Sequence, residues 1–241
     1  AALQMGGSIG YNVGRLFRLS DHDRRTATVC GMAAFFSALF GTPLAATLFA
    51  MMGEDVGLTF SVALVPGCLA ALVAYGVSLA CGISPTRFAL ADAPALTADA
   101  VLKIMVLGAA CAVVSRLVFG LLHFTEHELP KRLPNPWVRV AVGGMAVVAL
   151  SYLMGVGRYN GAGMGVIAAA VEQGEALPWD FLCKALLTAV TLASGFKGGE
   201  VVPSFYIGAT FGCAVGPLLG LPAGFSAAVG LVAVFCGATN T

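Results

Sequence analysis

The sequence predicts an all-α integral membrane protein made of tilted, partly broken helices. Of its 241 residues, 59% are hydrophobic and only 10% are charged, whereas a typical soluble domain has about 25% charged residues. Four stretches contain no Asp, Glu, Lys or Arg: residues 26–53, 56–86, 140–157 and 201–241. Since a membrane-crossing helix needs about 20 apolar residues, these stretches exclude the soluble, disordered and fibrous classes.

Helices are expected because backbone polar groups must be satisfied within lipid. Residues 109–114 and 140–152 lack the two-residue alternation of barrel strands. The predicted helices cover residues 1–18, 26–40, 43–52, 57–81, 100–125, 137–156, 162–173, 178–194, 203–219 and 225–236. Several are too short to span a bilayer, and Pro43, Pro203 and the break at 220–222 explain where they stop and restart. Short, interrupted helices are typical of transporters.

The sequence also contains an internal repeat. Two glycine ridges have a spacing of four: Gly6, Gly10 and Gly14, and Gly208, Gly212 and Gly216. A polar break follows later in each copy, at 40–43 and at 239–241, and the two features recur at offsets of 202 and 199 residues. The alternative is that such ridges serve only close helix packing. We expect one transmembrane domain, with residues 1–127 belonging to its first half and the following helices, and residues 128–241 to its second half. Both ends are expected to be internal to a longer protein.

The few charges limit the possible partners and suggest a topology. A net charge of +1 argues against nucleic acid as a partner. The densest positive patch consists of Arg15, Arg18, Arg24 and Arg25. It predicts a cytoplasmic loop, with an ordinary solvated loop as the alternative.

Asp180 and Lys184 are expected to form an ion pair between neighbouring helical turns, without a functional role.

The segment 194–203 is the most informative candidate site. Its glycines lead into an apolar helix with Pro203 near the first turn, which is a favourable helix start. The first N–H groups of a helix lack internal partners and carry partial positive charge. Directed into the membrane interior, they form an anion site that binds weakly enough to release a conducted ion. A plain turn between helices is the alternative.

Glu200 is the only acidic residue after Asp180, and it borders the 41-residue uncharged stretch. A carboxylate inside a membrane is costly and is a functional candidate by default. Desolvation is expected to raise its pKa, so that Glu200 can carry a proton. The alternative is an acid at the membrane interface paired with Lys197.

Two motifs suggest an intramembrane hydrolase as the alternative function. Residues 6–10 fit G-x-S-x-G around Ser8, but that motif needs a preceding strand and a histidine partner. His123, Glu126 and His127 fit the H-x-x-E-H zinc motif. They lie where the apolar helix is expected to end, and no obvious third zinc ligand follows at a spacing that would indicate a metal site. We therefore expect no catalytic residue, no metal site and no resident cofactor.

Three motifs resemble the CLC chloride channels and transporters. Residues 3–10 are similar to the segment that follows the family's G-[RK]-E-G-P signature, and residues 41–45 resemble its N-A-P-L-A turn. Residues 198–203 stand where the family has G-G-I-F-A-P. The match covers the whole chain in order. It implies an inverted repeat, helix N-termini that meet at a central anion, and a homodimer with one pathway in each subunit.

The resemblance also implies roles for individual residues. The backbone N–H groups of Glu200 and Val201, with Val202 in the same turn, would bind chloride or fluoride. Gly198 and Gly199 would permit close approach of the anion, and Glu200 would belong to the proton pathway. A glutamate at this position resembles the fluoride/proton exchanging branch, although that branch often has threonine where Val202 stands.

Some family features fall outside this chain. The gating glutamate would lie two positions before Ala1, and the first-half serine loop and the pore tyrosine are also missing. Met52 and Gly53 stand where proton-coupled chloride exchangers often carry acids, which argues against their usual internal proton route. The expected function is halide transport, as a channel or as an anion/proton antiporter, in the lipid of a bacterial-type plasma membrane.

Overall fold

The computed structural model describes residues 2–52, 60–90, 93–95, 97–155 and 157–239, and within these ranges the regular structure is helical. The helices are α1 (Ala2–Leu16), α2 (Asp21–Phe40), α3 (Pro43–Met52), α4 (Phe60–Ala80), α5 (Ala98–Arg132), α6 (Pro136–Met154), α7 (Met164–Ala168), α8 (Asp180–Ala193), α9 (Val201–Val215) and α10 (Ala223–Thr239). A π-helical turn, Ala169–Gln173, continues α7, and a 3₁₀ turn, Gly216–Leu219, continues α9.

Helices α2 and α5 extend beyond their predicted bounds, each for a local reason. α2 begins at Asp21 because the Ser20 side chain accepts a hydrogen bond from the Asp23 N–H at 3.2 Å, which caps the helix. α5 runs to Arg132 instead of ending near residue 125. Pro130 lies in its last turn and provides no N–H donor for the Glu126 carbonyl, but the helical turn continues past it, since the Leu133 N–H donates to Leu129 O at 2.9 Å.

The described chain forms two compact units, Ala1–Arg87 and Phe88–Thr241. In the first unit, α2 packs against α1, α3 and α4. Gly6 of α1 and Gly31 of α2 face each other so closely that a Cβ on either would collide with the other's carbonyl group. The core around α2, α3 and α4 includes Val29, Ala33 and Met51.

The second unit is built around α9 and α10, with α5 and α8 packed beside them. Gly208 of α9 lies against the carbonyl of Gly230 in α10, in the same manner as Gly6 against Gly31. Both glycine ridges thus face the helix that follows them, as an internal repeat requires. The expected boundary at 127/128 concerns the halves of this repeat and not these compact units, so it stays a prediction.

Four helical segments of the described residues are long and apolar enough to cross a membrane: Val62–Ala80, Ala98–Arg132, Pro136–Met154 and Val201–Leu219. Large apolar side chains such as Leu102, Met145 and Leu153 are more than 60% exposed. Exposed apolar surface of this kind is expected to be covered by lipid or by another protein surface. The cytoplasmic side of the arginine patch stays a prediction.

Candidate functional site

The start of α9 leaves its first amide groups available. Glu200 precedes the helix with φ −88° and ψ −20°, and its side chain makes no capping hydrogen bond. The first turn closes through the Ser204 N–H, which donates to Glu200 O at 3.0 Å, while Pro203 has no N–H. Because the first N–H groups of a helix have no partner within it, those of Val201 and Val202 are free to bind a ligand. The Glu200 carboxylate is not occupied by capping its own helix.

Glycines shape the loop that leads from α8 to Glu200. Gly195 adopts φ +95°, which favours glycine. A Cβ on Gly198 would lie 2.8 Å from Leu192 Cδ2 at the end of α8. Packing against α8 is therefore one reason for glycine at position 198, independent of any ligand, and Gly199 is exposed beside it.

Glu200 lines an open groove of about 780 Å³ that is bordered mainly by α5. The charged and titratable side chains of this groove are Arg116, His123, Glu126, His127, Lys131 and Glu200. The sequence analysis considered Glu200 and the histidine motif separately, whereas the structure places them around one groove. Tertiary packing of the α9 start beside α5 brings them together.

The groove changes the acidity of Glu200, which lies just before the span that begins at Val201. Partial burial raises the pKa of the Glu200 carboxyl, the Glu126 carboxylate raises it further, and His123 lowers it. The net direction is upward, as predicted from desolvation. Within the described residues no ion pair joins Glu200 to Lys197, so the interpretation of Glu200 as half of a local pair is wrong. A raised pKa makes the neutral carboxyl easier to populate.

Neither hydrolase motif has the surroundings that its chemistry needs. Ser8 lies exposed in the middle of α1, whereas a nucleophile elbow sits on a turn between a strand and a helix. The rings of His123 and His127 on α5 lie edge to face, with centroids 5.5 Å apart. In the described part of the chain no group of three His, Cys, Asp or Glu side chains is arranged to hold a metal ion.

A buried polar cluster that the sequence analysis missed lies beside α9. Asp180 is fully buried, and it accepts hydrogen bonds from Arg158 and from the Tyr159 hydroxyl at 2.7 Å. Lys184 donates to the carbonyls of Tyr159 and Gly161 at 2.9 and 2.6 Å. The predicted Asp180–Lys184 ion pair is therefore wrong. The pair is replaced by one between Asp180 and Arg158, at an Nη2–Oδ2 distance of 2.6 Å.

This cluster packs against one side of α9. Tyr206 of α9 is fully buried, and the Lys184 ammonium lies 5.0 Å from its ring centroid. Gly163, with φ +69°, lies against the same ring, and a Cβ there would come within 2.5 Å of it. The sequence signal for this cluster was the presence of Asp180 and Lys184 in an otherwise apolar helix, which charged residues enter only with partners.

The comparisons with known proteins agree with this architecture. The family model described as "Voltage gated chloride channel" matches residues 1–241. The chain belongs to this family, the CLC proteins. A curated relative from Pseudomonas syringae pv. tomato, named "Chloride/fluoride channel protein", is 36% identical over 246 residues, covering all of this chain and 54% of the relative.

A solved structure is similar over the whole of this CLC chain. It is described as the crystal structure of a CLC-type fluoride/proton antiporter, with 38% sequence identity and a TM-score of 0.93. The alignment covers 100% of this chain and 60% of that one. The predicted all-α, CLC-like fold is confirmed, and the chain spans a little more than half the length of the relatives it matches. Neither relative is named as a hydrolase.

Proposed function

We propose that the full-length protein containing this CLC chain moves fluoride across a bacterial plasma membrane in exchange for protons. The observation that carries the proposal is the position of Glu200 at the start of α9. Its carboxyl group makes no capping hydrogen bond to the helix and lines an open groove, and the first N–H groups of α9 follow it directly. Both relatives have fluoride in their printed names, and only the name of the curated relative also includes chloride, which supports fluoride as the transported halide. As in the family generally, we expect a homodimer embedded in lipid.

The anion is expected at the backbone N–H groups of Glu200 and Val201, with Val202 in the same turn and Gly198 and Gly199 leading into it. These groups replace part of the water around the ion with oriented dipoles and contribute no full positive charge. Binding of this strength suits an ion that must also leave the site.

Protonation of Glu200 is expected to control how strongly the anion binds. An ionised carboxylate only accepts hydrogen bonds and repels an anion, whereas a neutral carboxyl can donate one. Any change in anion affinity on protonation is matched by an equal change in proton affinity on anion binding. This linkage is the physical requirement for coupled movement of the two ions.

Ion efflux from liposomes containing the purified full-length protein tests the proposal. We expect fluoride efflux at least about tenfold faster than chloride efflux, which corresponds to about 1.4 kcal/mol of selectivity. The external pH should change in step with fluoride efflux. Equal fluoride and chloride rates would contradict the fluoride assignment, and chloride flux without protons would indicate a channel. No flux of either ion from a monodisperse sample would contradict halide transport itself.

A further inference from the structure

The groove beside Glu200 contains titratable side chains that binding of the anion does not use. His123, Glu126 and His127 are exposed residues of α5 that line it together with Glu200. They form the motif first considered as a zinc site, and among the described residues no metal-binding group is present. Their chemistry therefore needs another explanation.

The polar residues of α5 form a continuous stripe along one face of the helix. Arg116, His123, His127 and Lys131, with Gly120 between the first two, are spaced by three or four residues, and Glu126 follows His123 by three, which places them on the same side. At 1.5 Å per residue, the stripe is about 22 Å long. It runs from Lys131, in the last turn of α5, to Arg116, near the middle of the same helix.

One end of the stripe has the features of a water-exposed helix end. Lys131 and Arg132 occupy the last turn of α5, and Lys131 binds Glu128 Oε1 at 2.7 Å. Charged groups of this kind mark the polar boundary of a membrane helix. Lys131 and Arg132 are both exposed, so protons can exchange with water at this end of the stripe.

Glu200 is electrostatically coupled to the middle of the stripe. The groups that face it in the groove are Arg116, His123, Glu126, His127 and Lys131, all from α5. Among them, Glu126 and His123 act on its acidity, with opposite signs. An imidazole ring has one nitrogen that donates a proton and one that accepts it, so a histidine at this position can pass a proton between neighbouring groups.

We propose that His123 and Glu126 form a proton relay that connects Glu200 to the aqueous end of α5. A proton from water binds the neutral His123 imidazole, and the imidazolium then gives it up to the Glu126 or Glu200 carboxylate. The donor returns to its neutral form and the acceptor becomes a neutral carboxyl, so charge and protons balance at each step. The reverse sequence returns the proton to water.

The test compares three variants of the full-length protein in liposomes, and it rests on the proposed fluoride/proton exchange. His123→Ala and Glu126→Gln should each slow coupled exchange about tenfold or more at pH 7, in line with the loss of a proton-transfer group. The number of protons moved per fluoride should stay unchanged. His22→Gln, which alters a histidine of α2, is the matched control and should exchange like the unmodified protein.

Chemical rescue separates proton transfer from a structural role. Added imidazole should restore a large part of the exchange rate of His123→Ala, and it should leave the control unaffected. Exchange by both variants at the unmodified rate between pH 5 and 8 would overturn the relay, as would slow exchange that imidazole cannot restore. If the unmodified protein itself moves no protons with fluoride, the result contradicts the proposed fluoride/proton exchange, on which the relay depends.

Discussion

Arg158 binds both carboxylate oxygens of Asp180, with Nε–Oδ1 and Nη2–Oδ2 distances of 3.0 and 2.6 Å. Two parallel N–H donors on one carboxylate are the strongest arrangement available to a guanidinium. Asp180 begins α8, and Arg158 lies in the loop that follows α6. The pair therefore connects this loop to α8, next to the buried ring of Tyr206 from α9.

Replacing Asp180 with Asn should destabilise the protein. The Arg158 guanidinium would lose its counter-charge, but it is 38% exposed, so water offsets part of the loss and we expect a cost of about 1–3 kcal/mol. Thermal unfolding in detergent should show a clearly lower midpoint for this variant. Asp99→Asn is the matched control, because Asp99 also lies in the first turn of a helix but is 71% exposed in its pair with Lys103. An equal midpoint for the two variants would contradict the role of the Arg158–Asp180 pair.

The same pair makes stability depend on pH. Burial raises the pKa of the Asp180 carboxyl, but hydrogen bonds from Arg158, Tyr159 and the Leu177 N–H outweigh it, so the folded-state pKa lies below the usual value. A lowered folded-state pKa contributes stability above the unfolded value of about 3.9, and that contribution is lost as the pH falls through the folded value. The difference in midpoint between unmodified protein and Asp180→Asn should shrink below about pH 4. A constant difference from pH 7 to pH 3 would contradict this.

Replacing Gly208 with Ala should disturb the contact between α9 and α10. The added Cβ would meet the Gly230 carbonyl carbon at 2.8 Å and its oxygen still closer, so the two backbones must separate. Overpacking of this kind costs about 1–3 kcal/mol. Gly108→Ala on α5 is the control, because nothing lies within 4 Å of its added Cβ. Thermal unfolding should show a lower midpoint for the Gly208 variant alone.

Replacing Glu200 with Gln should separate anion movement from proton movement. The amide keeps the size of the side chain but cannot carry a proton, so fluoride flux in liposomes should persist at a changed rate while proton flux falls to background. Glu175→Gln, which alters an exposed glutamate of the same unit outside this groove, should behave like the unmodified protein. Unchanged proton coupling in Glu200→Gln would remove Glu200 from the proton pathway.

Replacing Ser8 with Ala should leave transport intact. Ser8 is exposed on α1, and it is the Ser8 backbone carbonyl that accepts the 2.8 Å hydrogen bond from Asn12 Nδ2. Gly10→Ala is a disruptive comparison on the same helix, since its added Cβ would lie 2.9 Å from the Ala27 carbonyl carbon. A well-folded Ser8→Ala protein without fluoride flux would contradict the interpretation of residues 6–10 as packing residues.

Helices with strong local signals were predictable from the sequence. α3 lies at Pro43–Met52 as predicted, because Gly41 ends α2 in the left-handed conformation and Pro43 starts the next helix. Gly41 also donates its N–H to Ser37 O at 2.8 Å. The end of α5 was missed because Pro130 usually marks a helix boundary, whereas here it lies within the last turn. Gly53, next to Met52, lies outside the described residues.

The site itself was predictable only in part. The start of α9 was visible because glycines, a lone acid and a proline occur together before an apolar stretch. The Arg158–Asp180 pair joins residues 22 positions apart, and local spacing pointed to Lys184 instead. His123 and Glu200 are 77 positions apart, so the sequence suggested a zinc motif where the structure shows one face of a shared groove. Contacts of this kind depend on how α5 and α9 pack.

The most direct test of proton coupling is a gradient experiment with the unmodified full-length protein. Liposomes loaded with fluoride and held at equal pH on both sides are diluted into fluoride-free buffer, with the membrane voltage clamped near zero. We predict that outward fluoride movement drives protons inward, acidifying the liposome interior until the proton gradient balances the fluoride gradient. Fluoride efflux without interior acidification would contradict fluoride/proton exchange and indicate a passive pathway.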